Sequence, residues 1–139
     1  MIEEMLKSKP LPAVSELIGW TFRSWDAETR TMEVGFDGKP GFCNPMGVVQ
    51  GGILTTMMDD VMGPTVLAAS NGTKLCQSID LHTHFLSAVR PGPIVVRARM
   101  VKMGNRVGFL EAELFDENGK LCARATSSAH LGDVPTGPA

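Results

Sequence analysis

The chain has 139 residues, 43% hydrophobic and 20% charged, with a formal net charge of -2 at pH 7. That size makes one domain with a substantial core, expected over residues 1–139. The near-neutral balance argues against nucleic acid or a membrane surface as the main partner, and no apolar run approaches the roughly 20 residues that span a bilayer.

Residues 2–8 form a short helical pattern that Pro10 and Pro12 stop, and Pro12 to Ser15 open a second turn. Residues 1–15 are therefore expected to be a helical extension. With Glu3, Glu4 and Lys7 among the first residues, this stretch does not read as a signal peptide. From Ile18 to Trp25 apolar residues alternate, and they alternate again from Thr31 to Phe36. With Asp26-Ala-Glu-Thr between them, the two runs predict a hairpin. A loop rich in turn residues then leads to Asn44 and on to Gln50-Gly51-Gly52.

A long apolar helical pattern follows. At about 100° per residue, Ile53, Leu54, Met57, Val61 and Ala68 share one side, with Met58 and Met62 on its flank. Gly52, Thr55, Thr56, Asp59 and Gly63 share the other, with Asp60 at the border. Asp59 thus sits in a narrow face of small and hydroxyl residues, which lets another backbone come close. Pro64 is expected to kink or end the first helical segment.

Past the turn Ser70-Asn-Gly-Thr, four strands are expected, over Leu75 to Leu86, Ile94 to Val101, Val107 to Phe115 and Leu121 to Leu131. In the first, Ile79, Leu81 and Phe85 alternate with Ser78, Asp80, His82 and His84. Asp116-Glu-Asn-Gly119 reads as a hairpin turn, and the Gly/Pro-rich residues 132–139 as a flexible tail. A helix of about 18 residues spans about 27 Å, close to the width of a curled five- or six-stranded sheet at about 4.8 Å per strand. The fold class is α+β: one long central helix wrapped by a curved antiparallel sheet. Cys43, Cys76 and Cys122 have no CxxC spacing and read as reduced thiols of a cytoplasmic protein.

Asn44, Gln50-Gly51-Gly52 and Asp59 match the pattern Asn-x5-His-Gly-Gly-x6-Asp, with Gln50 in the histidine position. Together with Ser78-Ile-Asp-Leu, Leu86 and Pro91-Gly92, this makes the chain resemble the hotdog-fold thioesterases, specifically the phenylacetate-degradation (PaaI-like) acyl-CoA thioesterases, from about Leu11 to Leu131. The resemblance implies hydrolysis of acyl-CoA thioesters without a cofactor, in a homodimer or a dimer of dimers. It makes Asp59 the catalytic carboxylate and the Gly51 amide the group that polarises the carbonyl. Asn44 and Gln50 would place the thioester or water, and Ser78 would sit beside the carboxylate. Gly52 and Thr56, on the same helix face, are expected to bind the substrate. Arg90, Lys102 and Arg106 are candidates for the CoA phosphates. Glutamine in place of histidine keeps a non-catalytic acyl-CoA-binding protein as the alternative.

The chemistry asks for these residues. A thioester carbonyl gains negative charge when attacked, and a helix N-terminus offers unpaired N–H groups and about half a positive charge. A carboxylate then activates water or attacks directly. Gly51 and Asp59, eight residues apart, are separated by about 12 Å on a helix, whereas reacting groups need about 3 to 3.5 Å. Two antiparallel helices across a two-fold axis close that gap. His82 and His84 form a His-x-His pair of a kind that metal sites use, but with no third ligand at a telling spacing the polar face of a sheet is the preferred reading, and no metal is expected.

Overall fold

The computed structural model describes residues 2–8 and 10–135. Two short helices, α1 (Ile2–Lys7) and α2 (Ala13–Leu17), precede a hairpin of β1 (Thr21–Asp26) and β2 (Thr31–Gly38). After a 3-10 turn at Pro40–Phe42 comes the long helix α3 (Gly51–Ala69), then β3 (Lys74–Phe85), β4 (Gly92–Met103), β5 (Val107–Phe115) and β6 (Leu121–Asp133). All six strands form one antiparallel sheet in the order β1-β2-β4-β5-β6-β3. α3 leaves β2 near one edge and delivers the chain to β3 at the other, so it must cross the sheet. Its 19 residues reach about 28 Å, enough for the crossing. This is the hotdog fold.

The core lies between α3 and the concave face of the sheet. Met57, Met58, Val61, Met62 and Val66 are fully buried on one side of α3. They meet Met32, Val34, Val96, Met100 and Leu114 from the strands, also fully buried. Each such side chain contributes about 1.5–3 kcal/mol on burial. Ala123, Ala125 and Ala129 keep β6 low where the helix passes over it.

Four expectations need correction. Of the two outcomes expected at Pro64, a kink or an end, the end does not occur: α3 continues to Ala69. The proline deprives the Asp60 carbonyl of its helical donor, yet Val61, Met62, Thr65 and Val66 are all buried around it, and that packing carries the helix through. The first strand begins at Thr21, because Gly19, at φ +83, breaks the chain after α2. Ile18 caps α2 and is buried there. The expected tail starts too early, since Gly132 and Asp133 pair with Leu75 and Lys74, and Lys74 bonds the Asp133 carboxylate. Residues 136–139 of that tail, and Met1 and Lys9 of the extension, lie outside the described residues.

The fourth correction concerns β3. Its pairing with β6 slips between Ser78 and Asp80, leaving Ile79 as an extra residue. Such a bulge reverses which parity faces the core. Before it, Cys76 packs on the core and Ser78 reaches α3. After it, Leu81 packs on the core and Thr83 reaches α3. Ser78 therefore does not share a face with Asp80, His82 and His84, and Ile79 is 61% exposed. No helix among the described residues is long and apolar enough to cross a membrane.

Candidate functional site

The loop before α3 is tied down locally. Asn44 accepts at Oδ1 from the Met46 N–H at 2.9 Å and the Val48 N–H at 3.5 Å, while its own N–H donates to the Val48 carbonyl. This Asx-type closure spends the side-chain carbonyl on the loop, so Asn44 shapes the entry to the helix. Gln50 is the N-cap residue at φ -56, ψ 133, with no side-chain capping bond. Its N–H donates to the Phe42 carbonyl, and its carbonyl accepts from Ile53 and Leu54. The side chain is exposed.

Gly51 and Gly52 are the first two residues of α3, and neither amide donates to an acceptor among the described residues. A Cβ at Gly51 would stand 2.9 Å from Phe85 Cζ, so glycine lets the ring lie close over the backbone. Gly51 also borders a cavity of about 430 Å³ whose walls include Val48, Leu54, Phe85, Leu86 and Val89. An unpaired donor at a positive helix end thus lies beside an apolar hollow. Phe85 and the loop from Leu86 to Val89 are the part of this site that sequence reading missed. Leu86 entered only through the family pattern, and the stretch, broken by Ser87 and by Arg90 before Pro91, otherwise reads as the end of an ordinary strand.

Asp59 lies two turns further along α3 and is exposed. Ser78 Oγ donates to its Oδ1 at 3.2 Å across the gap to β3. A Cβ at Gly52 would meet no atom within 4 Å, and Thr56 Oγ1 bonds back to the Gly52 carbonyl at 2.9 Å, which leaves the helix face low. Asp60 turns the other way, toward α2, where Ser15 Oγ donates to its Oδ1 at 3.1 Å. Burial pushes the Asp60 carboxyl above the ordinary value, the Ser15 hydroxyl pulls it down, and the charge of Asp59 adds to the rise. Burial also raises the Cys76 thiol, with Asp59 adding to it.

Within one chain the residues fall into two groups. Gly51, Gln50, Asn44 and the cavity occupy the N-terminal end of α3, and Asp59 and Ser78 lie about 12 Å away by helix rise. The three candidate cations divide in the same way. The loop before Arg90 is anchored on Cys122 of β6 through the Leu86 and Ser87 amides, whereas the Arg106 carbonyl accepts from Leu131. Those anchors are nine residues apart on one strand, about 30 Å. Lys102 sits at a register shift in β4 near the Arg106 end.

The sheet ends in two edge strands, β1 and β3, and among the described residues no strand of the same chain pairs with the outer side of β3. Leu75, Ile79 and Phe85 of this strand and Leu86 just beyond it are 42–61% exposed. An unprotected edge of 12 residues with apolar side chains is a template for a further strand.

Known proteins share this fold. A phenylacetic acid degradation-related protein of Ralstonia eutropha is 34% identical, and its crystal structure matches with a TM-score of 0.85, covering 93% of this chain and 98% of its own. Human acyl-coenzyme A thioesterase 13 is 28% identical over 92 residues, 65% of this chain and 65% of its own length. A Thermoplasma acidophilum relative matches over 63% of its length, so the chain spans just under two thirds of these curated relatives. A Streptococcus mutans protein bound to acetyl CoA shares the fold at 14% identity, with a TM-score of 0.76, covering 85% of this chain and 92% of its own. The stretch matched by the thioesterase superfamily, residues 46–123, is more than half of the sequence and holds Gly51, Asp59 and Ser78; the chain belongs to that superfamily.

Proposed function

We propose that the chain hydrolyses acyl-CoA thioesters to the free acid and CoA, at sites that two copies build together. The observation that carries this reading is the pair of Gly51 and Gly52 amides, unpartnered among the described residues, beside an apolar cavity, with the exposed Asp59 two helical turns away. In an antiparallel pair of α3 helices, the Gly51 amide of one copy receives the thioester oxygen. Asp59 of the other copy takes a proton from the attacking water, or attacks the carbonyl carbon itself. Ser78 holds one oxygen of that carboxylate and so fixes its direction. Gly52 and Thr56 keep the shared face low, and Gln50 presents its amide at the mouth. The open edge of β3 supports the pairing, because a second β3 would continue the sheet and cover its exposed apolar residues.

Asn44 positions the loop that carries Gln50. Arg90 from one copy and Lys102 and Arg106 from the other are the cations proposed for the CoA phosphates. The name of the human relative and the acetyl CoA bound to the Streptococcus protein support CoA esters as the substrate class. The soluble, cytoplasmic setting is proposed with them.

The test is turnover of short, medium, long and aromatic acyl-CoAs by wild type and Asp59→Asn. Wild-type release of CoA thiol, cut by about 10²–10⁴ in the variant, is expected for loss of a general base. Equal rates in the two proteins refute the assignment. Saturable binding of the esters by wild type, with no turnover, gives the non-catalytic alternative.

A further inference from the structure

β3 turns a second set of side chains away from α3. Thr83 bonds Thr55 of the helix at 3.2 Å, so His82 and His84 on either side of it stand on the outer face. Both are exposed. Their Nε2 atoms lie 3.1 Å apart, with the rings edge to face and centroids at 4.7 Å. Two nitrogens bound to one tetrahedral zinc at 2.0–2.1 Å are about 3.4 Å apart, so the pair already has nearly the bite of a bidentate ligand. Asp80 follows the same outer parity, one oxygen held by the Ser128 N–H at 2.6 Å. Among the described residues of a single chain, no three such groups converge on one ion.

The position of the pair supplies what is missing, given the two-fold site proposed above. Gly51 packs against Phe85, Thr55 against Thr83 and Asp59 against Ser78. β3 therefore runs antiparallel beside α3. The two-fold axis that lays Asp59 on the Gly51 of a second copy passes level with Thr55, midway between them. It crosses β3 at Thr83, the residue that Thr55 meets, and two β3 strands meeting there pair antiparallel. Opposite residues in such a pair are about 4.5–5.5 Å apart, and like parities share a face. His82 and His84 of both copies therefore gather in one patch, flanked by both Asp80 side chains.

We propose that this patch is a divalent transition-metal site shared between two copies of the chain, with the Nε2 atoms of His82 and His84 from each copy as ligands. Imidazole ligands suit zinc, copper or nickel. Arg124 lies opposite His84 on β6 and lines the same depression as both histidines, so its cation opposes metal binding there. Asp80 and Glu111, beside His82 in the adjoining depression, offset it. The metal would clasp the two β3 strands on the side of the sheet remote from the thioester.

The test is calorimetric titration of the full chain with zinc chloride after dialysis against a chelator, with sedimentation and acyl-CoA turnover read on the same samples. One zinc per two chains, with a dissociation constant of about 1 µM or below, is expected. The doubly substituted His82→Ala/His84→Ala protein should bind at least about 100-fold more weakly and turn over substrate at the wild-type rate. Zinc should also shift the dimer to lower protein concentration. Absence of binding below about 100 µM, one zinc per single chain, or undiminished binding by the double variant overturns the site. A dimer that hydrolyses acyl-CoA but takes up no zinc overturns the metal site alone, and zinc uptake without turnover overturns the hydrolase reading alone. A chain monomeric with and without zinc overturns both.

Discussion

A heterodimer with Gly51→Pro on one chain and Asp59→Asn on the other tests the shared site directly. Proline is well suited to the first helical position, and it deletes the N–H that Gly51 offers. Gln50 already has φ -56, ψ 133, the conformation that a residue before proline requires. A carbon at the Cβ position has the end of the Phe85 ring as its nearest neighbour, and Phe85 is 54% exposed and can swing aside. Asp59 is exposed, and asparagine keeps an acceptor for Ser78, so its substitution should change stability by less than about 0.5 kcal/mol. Each homodimer should lose activity, by about 10²–10³ for the donor and about 10²–10⁴ for the acid. In the heterodimer one site joins an intact amide to an intact carboxylate, and the other lacks both. Differently tagged chains, co-expressed and purified through both tags, should therefore show about half the wild-type rate of CoA release per dimer. A heterodimer no faster than the mean of the two homodimers would place amide and acid in one chain and defeat the spacing argument.

Three further substitutions probe the framework. Burial holds the Asp60 carboxyl above its ordinary 3.8, so the native state binds that proton more tightly than the unfolded chain. Stability then falls as pH rises from about 3.8 through the raised pKa and stays lower above it. Asp60→Asn should match wild type in thermal midpoint near pH 3 and exceed it at pH 7. Gly38→Ala puts a methyl 2.9 Å from the Gly92 carbonyl oxygen and 3.0 Å from Ile94 Cδ1; a backbone atom has little room to yield, and the urea midpoint should report a loss of about 1–3 kcal/mol. Ser78→Ala removes the hydroxyl that holds Asp59, so kcat should drop about tenfold for one charge-assisted hydrogen bond, with the thermal midpoint unchanged.

Most elements were legible because their signals are local. The helix begins where a turn-rich loop reaches two glycines, and its buried side follows the apolar stripe through Met57, Val61 and Ala68. The Asp116 turn forms as its residues predict, with Asp116 Oδ1 accepting from Asn118 and Lys120 and Gly119 at φ +79. What the sequence hid depends on long-range packing. Pro64 reads as a break because its lost hydrogen bond is local, while the buried residues that carry the helix past it meet strands far along the chain. The cavity beside Gly51 was hidden for the same reason. Its wall joins residues 48 and 49 to residues 85–89, two stretches with no shared pattern.

The bulge at Ile79 shows why parity alone misassigns a face. Strict alternation puts Ser78 with His82, and nothing in Ser78-Ile-Asp marks the extra residue. Two anchors of opposite parity, Ser78 on Asp59 and Thr83 on Thr55, can both reach α3 only if one residue between them is left out of register. Deleting Ile79 forces a choice between them. Turning the C-terminal half over would bury His82 and His84 and expose Leu81, at the cost of unpaired imidazoles in the core. Turning the N-terminal half costs less: Ser78 leaves Asp59, and Cys76 swings from the core to solvent. The deletion variant should therefore stay folded, lose at least as much kcat as Ser78→Ala, and in a Cys43→Ser background expose one thiol that reacts rapidly with a disulfide reagent. A folded deletion variant with a protected Cys76 thiol and wild-type turnover would show that the bulge does not aim Ser78.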